Sequence, residues 1–179
     1  MKSEMIIKFW FEEIKPKAWF KKDEAFDKAL ISRFSKIHNA AVNGELFNWR
    51  ESPEGRLAEI IVLDQFSRNM FRDTPKAFAF DPLALILAQE AVAGKHDEDI
   101  PKEKRSFLYM PFMHSESLLI HEVGLMLFTE MGNEATLDFE KKHKAIIERF
   151  GRYPHRNELL GRESTVEELA FLNQPGSSF

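Results

Sequence analysis

The chain of 179 residues contains no cysteine. That absence excludes disulfides, thiol nucleophiles and thiolate metal ligands together, and it suits the reducing cytoplasm in which the chain is expected to work. Long apolar runs are missing as well. A stretch such as residues 123–128 is far below the roughly 18–20 residues a membrane-spanning helix needs, so no membrane partner is expected. Residues 4–14 are amphipathic, but Glu4, Glu12 and Glu13 sit on their polar side, where a helix lying on a membrane would be basic. There is no excess of positive charge either. Lys and Arg number 25 against 29 Asp and Glu, a net charge of −4, which argues against a nucleic-acid partner. Strand signals are also lacking, since no alternating runs flank a two-residue hairpin turn.

What is present is aromatic and helical. Aromatics make up 12% of the chain, with 17 Phe, enough for a large packed interior in a single domain over residues 1–179. Residues 4–14 predict a first helix, stopped by Pro16. Phe26, Leu30, Phe34 and Ile37 follow at spacings of four, four and three in a second helix over 23–42, with Gly44 just past its end. Ser52-Pro53 opens a third, which carries Leu57 to Phe71, and Asp81-Pro82 opens another to Gly94 by the same device. Residues 95–105 read as an exposed charged loop, Pro111 as the start of a long helix to about Met131, and Asn133 as the cap of the next. Ser164 and Glu167 read as a capping box before Leu169, Phe171 and Leu172. The expectation is an all-α fold, an antiparallel array of seven to eight helices.

Three polar clusters interrupt this apolar pattern, and buried polar groups without partners cost roughly 1–3 kcal/mol each. In the first, Asp64, Arg68 and Arg72 fall four apart on one helical stripe beside Asn69, either as an internal ion pair or as forked donors for a carboxylate or phosphate. In the second, His114 and Glu116 look like metal ligands, but two helical positions point about 200° apart. His114 and His121 stand two turns apart, about 10 Å, too far to chelate. His121-Glu122 begins a zinc-protease pattern, yet Leu125 stands where the second His belongs. No metal and no cofactor is therefore expected, and His114 is read as a hydrogen-bonding or acid–base residue near a helix start. In the third, Arg149, Arg152, His155, Arg156 and Arg162 crowd a helix end and the turn after it. They need carboxylates or a ligand to answer them, and Glu158, Glu163, Asp64 and Glu116 could do so.

These stretches also carry a family resemblance. Leu63-Asp-Gln-Phe-Ser-Arg-Asn69, Phe107-Leu-Tyr-Met-Pro111, His114-Ser-Glu116, Arg149-Phe-Gly-Arg-Tyr-Pro-His-Arg-Asn157 and the tail from Phe171 all resemble the bacterial family known as domain of unknown function 924. The resemblance covers nearly the whole chain. It implies an all-α fold similar to tetratricopeptide-like arrays, and it brings no catalytic residues with it.

The leading reading is a binding module whose groove holds an anionic small molecule or an acidic peptide. Its expected lining is Asp64, Arg68, Asn69, Arg72, His114, Glu116, Arg152, His155 and Arg156. The alternatives are a metal-independent hydrolase or transferase, with His114 or His155 as general base oriented by Glu116 or Asp64, and a purely structural polar network. Asp64 and Arg68 are expected to converge with His114 and Glu116, and Phe179 to dock on the domain.

Overall fold

The computed structural model describes residues 2–178, and every regular element among them is helical. Eight helices follow in order. α1 is Glu4–Lys8, prolonged by a π-helical turn over Phe9–Glu13. α2 is Glu24–Val42. α3 is Pro53–Ile61, carried on through a second π-helical turn, Val62–Phe66, into Ser67–Met70. α4 is Asp81–Ala93, α5 Lys102–Met113, α6 Leu118–Met131, α7 Glu134–Phe150 and α8 Val166–Leu172. None is long and apolar enough to cross a membrane.

The chain folds into two compact units. The first holds the chain up to Arg72 with Lys76–Pro111, and the second holds Asp73–Pro75 and the chain from Phe112 on. In the first unit α3 is central, packing on α1, α2 and α4. That position follows from its sequence, since Leu57, Ile60, Ile61, Val62, Leu63 and Phe66 are all fully buried. Asp23 and Ser52 cap α2 and α3, and Pro53 opens α3 as expected. In the second unit α6 and α7 pack together across a two-residue turn. There Gly132 takes the left-handed conformation (φ 73°) and Asn133 accepts from the amides of Ala135 and Thr136.

Four local expectations give way. Pro111 lies inside α5 instead of opening a helix. It sits in the last turn, so only one backbone bond is lost, and the chain leaves the helix at His114 before restarting at Leu118. Residues 95–105 are not simply an exposed loop. Lys102 already starts α5, Asp97 is buried under the Tyr109 hydroxyl at 2.5 Å, and Arg105 donates to the carbonyls of Glu98 and Ile100. Asp81 does not cap α4, because Arg68 takes its carboxylate. The capping box lies one residue later, between Thr165 and Glu168, while the Ser164 hydroxyl accepts from Asn157. Phe179 lies outside the described residues; before it, Ser177 is buried and donates to the carbonyl of Leu172.

Candidate functional site

The polar residues of the first unit close on one another. Asp64, fully buried, accepts from Gln65 at 2.6 Å and from Arg68 at 2.9 Å. Arg68 also grips both oxygens of Asp81, at 2.8 and 3.0 Å. One turn on, Arg72 binds Asp27 through two bonds of 2.6 and 3.0 Å and donates to Asn69, whose amide in turn donates to the carbonyl of Gln65. Planar guanidinium–carboxylate forks of this kind are the strong form of ion pair. The expected stripe is real, and its partners Asp27 and Asp81 come from α2 and α4. Asp27 lies on the buried side of an amphipathic helix, a position from which a partner could have been foreseen.

His38 and Ser67 in the same unit resemble a base and its nucleophile, with 2.8 Å between Nε2 and Oγ. Counting hydrogens removes that reading. The Ser67 hydroxyl donates to the carbonyl of Leu63 at 2.5 Å, so Nε2 of His38 must carry the hydrogen and donate to Oγ. Burial, and then the charge of Lys76, hold His38 neutral by pushing its pKa down to about 4.

In the second unit His114 and Glu116 lie in the turn between α5 and α6, and His114 is thus not at a helix start. Glu116 accepts two bonds from Arg162, at 2.7 and 2.9 Å, and one from the Tyr153 amide at 2.7 Å. Burial raises its pKa, but those bonds and the charges of Arg156 and Arg162 bring it below the ordinary carboxylate value. Arg152 binds both oxygens of Glu168 and the carbonyl of Glu163, and its hydrogen bonds hold Glu168 down at about 2. Arg149 pairs with Glu167, and Arg156 donates to the carbonyl of His114 while lying 4.7 Å over the Tyr153 ring. Hence Arg162, Arg149 and Arg152 of the third cluster are answered by Glu116, Glu167 and Glu168, whereas Glu158 and the Glu163 carboxylate take no part in these pairs. The Asp64–Arg68 and Glu116–Arg162 pairs each close inside their own unit.

Tyr153 organises what the sequence reading missed. Its hydroxyl donates to the carbonyl of Met113 at 2.5 Å, and its ring lies 6.3, 5.8 and 5.5 Å from those of His121, His143 and His155. His121 and Glu140 are both fully buried, with 2.7 Å between Nδ1 and Oε1. Burial raises the Glu140 pKa, opposed by His121 and Lys144. Gly124 makes room for this carboxyl: a Cβ there would stand 3.2 Å from Glu140 Oε1. A signal was available, since Glu140 and His143 share the buried stripe of α7 with Ile146 and Ile147. Among the described residues no group of three or more His, Asp or Glu is arranged to hold a metal ion.

Beside Tyr153 the second unit opens a groove of about 690 Å³, walled by Pro154, His155, Arg162, Leu169 and Leu172, with Glu158 and Glu163 also lining it. His155 is half-buried there. Of the residues expected to line a binding groove, His155 is the one that this groove presents.

A solved relative has the same fold throughout. The protein of unknown function ATU0120 from Agrobacterium tumefaciens is 41% identical, covers 96% of each chain and superposes with a TM-score of 0.91. No curated protein matches the chain. The model of the family described as bacterial protein of unknown function (DUF924) matches residues 6–176, and the chain therefore belongs to that family.

Proposed function

We propose that the chain is a binding module and that its ligand seat is the groove beside Tyr153. The observation that carries this is that His155 and Arg162 line one open recess together with the apolar Leu169 and Leu172. Polar donors set in a mostly apolar cleft are what a small ligand needs for both orientation and affinity. Arg162 makes four bonds to Glu116, Asn157 and the Tyr153 carbonyl. A guanidinium has five N–H donors, so these four bonds leave one on Nη1. An anion would be seated by His155 and Arg162, and Glu158 and Glu163 on the same rim limit it to a compact one, a single carboxylate or phosphate or the acidic end of a peptide, by repelling a polyanion such as nucleic acid.

Base catalysis is less favoured. Of the two carboxylates expected to orient a histidine base, Glu116 holds Arg162 and Asp64 holds Arg68. A structural role is the better-supported second reading for Asp64, Arg68, Asn69, Arg72 and Arg152, because carboxylates of the chain itself already answer those arginines.

The test is a thermal-shift screen of phosphates, dicarboxylates and acidic peptides, since a ligand that binds only the folded state raises its melting temperature. His155→Ala should weaken any such binding by tenfold or more, the loss expected for a hydrogen bond to a charged group. A screen in which nothing raises the melting temperature sinks the proposal, as does a ligand that binds His155→Ala unchanged.

A further inference from the structure

We infer that the groove beside Tyr153 seats a zwitterion, a free α-amino acid with an apolar side chain. This rests on the groove being the ligand seat, and it adds a second charge that the ligand must carry. Three kinds of surface line that one recess: the donors Arg162 and Ser164, the carboxylates Glu158 and Glu163, and the apolar Pro154, Leu169 and Leu172.

The donor side is built before any ligand arrives. Arg162 is fixed by two bonds to Glu116, one to the Asn157 side chain and one to the Tyr153 carbonyl, which leave an N–H on Nη1. Asn157, itself fully buried, donates to the Ser164 oxygen, so Ser164 has its own hydrogen left to give. Donors held in place by the fold lose little freedom when they bind a carboxylate. Gly161 takes the left-handed conformation (φ 65°) and turns the chain back, so that the Arg162 amide reaches the Asn157 carbonyl at 2.8 Å. That turn lets both halves of the segment 157–164 face the same groove.

The acidic side is open. Glu158 and Glu163 are exposed, and no cation among the described residues pairs with either. Arg152 and Arg162, the paired arginines on either side of Glu158, direct their forks to Glu168 and Glu116 instead. A lone anion brought to Arg162 would meet the repulsion of both rim carboxylates. An α-amino acid carries its ammonium on the carbon next to its carboxylate, so one small molecule answers both signs. Its side chain then lies against the apolar wall, where Leu169 is 52% exposed and has surface to cover. A phosphate or a dicarboxylate answers the donors alone and brings nothing to that wall.

The experiment is titration calorimetry of the whole chain at pH 7 with L-leucine, N-acetyl-L-leucine, L-leucinamide, glycine and inorganic phosphate. Leucine should bind. Acetylation removes the ammonium and amidation the carboxylate, and each should weaken binding about tenfold or more. Glycine, with no side chain to bury, should also bind about tenfold more weakly. Glu158→Gln combined with Glu163→Gln should weaken leucine about fivefold or more and leave N-acetyl-L-leucine no weaker. Both positions are exposed, so that variant should fold. N-acetyl-L-leucine or phosphate binding as tightly as leucine overturns the inference and leaves the groove an anion seat. Leucine bound unchanged by the double variant overturns it too. Silence from all of these compounds strikes the zwitterion, and the groove reading falls with it only if the wider screen of anions is silent as well.

Discussion

The contact between His121 Nδ1 and Glu140 Oε1, 2.7 Å long and wholly buried, holds a single proton between a ring nitrogen and a carboxyl oxygen. The carbonyl of Ser115 accepts from His121 Nε2 at 2.9 Å, which fixes a hydrogen on Nε2. Tyr153 gives its own hydrogen to Met113, so its oxygen can accept from the same Nε2. One proton is left for the Nδ1–Oε1 contact. Glu140 Oε2 is buried with no hydrogen-bond partner, and its pKa is raised chiefly by burial. Both facts favour a neutral acid donating to a neutral imidazole, because an anion there would leave desolvated charge unanswered.

Glu140→Gln should therefore be tolerated, its amide donating to Nδ1 where the acid did, with a loss of about 1 kcal/mol or less. Glu140→Ala should cost about 2–4 kcal/mol through the cavity and the orphaned imidazole. Urea unfolding of the two variants checks this. Equal, large losses would mean that the carboxylate is ionised.

Gly124→Ala should destabilise, although alanine is the better helix former by about 1 kcal/mol. The new Cβ would press on Glu140 Oε1 and the Phe112 Cβ, both at 3.2 Å. The carboxyl cannot yield without breaking its bond to His121. The strain of overpacking, about 1–3 kcal/mol, should win. A higher melting temperature for the variant would refute the tight fit.

Arg68→Ala should be among the costliest single changes, about 3–5 kcal/mol, because it removes the cation paired with the fully buried Asp64 carboxylate. Arg149→Ala removes a pair whose side chains are 46% and 64% exposed, and it should cost under about 1 kcal/mol. Parallel thermal melts read the contrast; similar losses would show that burial does not rank these pairs.

Acid should weaken the fold in proportion to the protons its histidines refuse. The pKa of His38 is lowered from 6.5 to about 4, so its contribution is complete above pH 6.5 and is lost as the pH falls towards 4. The slope is about 1.4 kcal/mol per pH unit for one proton. Glu140, raised in the folded state, acts in the opposite sense. Denaturant midpoints of wild type and His38→Gln over that range should differ in slope by one proton; parallel curves would dismiss His38 as a source.

The helices were legible because each rests on local chemistry: Ser52 and Asn133 as caps, Gly44 as a stop, Phe26 to Ile37 as a stripe. Pro111 misled because the first turn and the last turn of a helix tolerate a missing N–H for different reasons, and position alone tells them apart. In the polar clusters the Asp64–Arg68 spacing was readable, being one turn of one helix. The pairs Arg72–Asp27, Arg162–Glu116 and His121–Glu140 span 45, 46 and 19 residues, and no periodicity along a single helix encodes them. His121 was weighed only as a metal ligand with Glu122, while its true neighbour waited on the inward stripe of α7.

The π-helical turn Val62–Phe66 has a consequence for how relatives should be compared. A π turn holds one residue more than the α-helical turn it replaces, and it commonly marks a site where a residue was inserted into a helix. Losing a residue from 62–66 would leave α3 helical but rotate everything after it by about 100°. Arg68, Asn69 and Arg72 would then turn away from Asp81 and Asp27. A homologue with a one-residue gap there should therefore lack those two aspartates as well, so that gap and partners are gained or lost as a set.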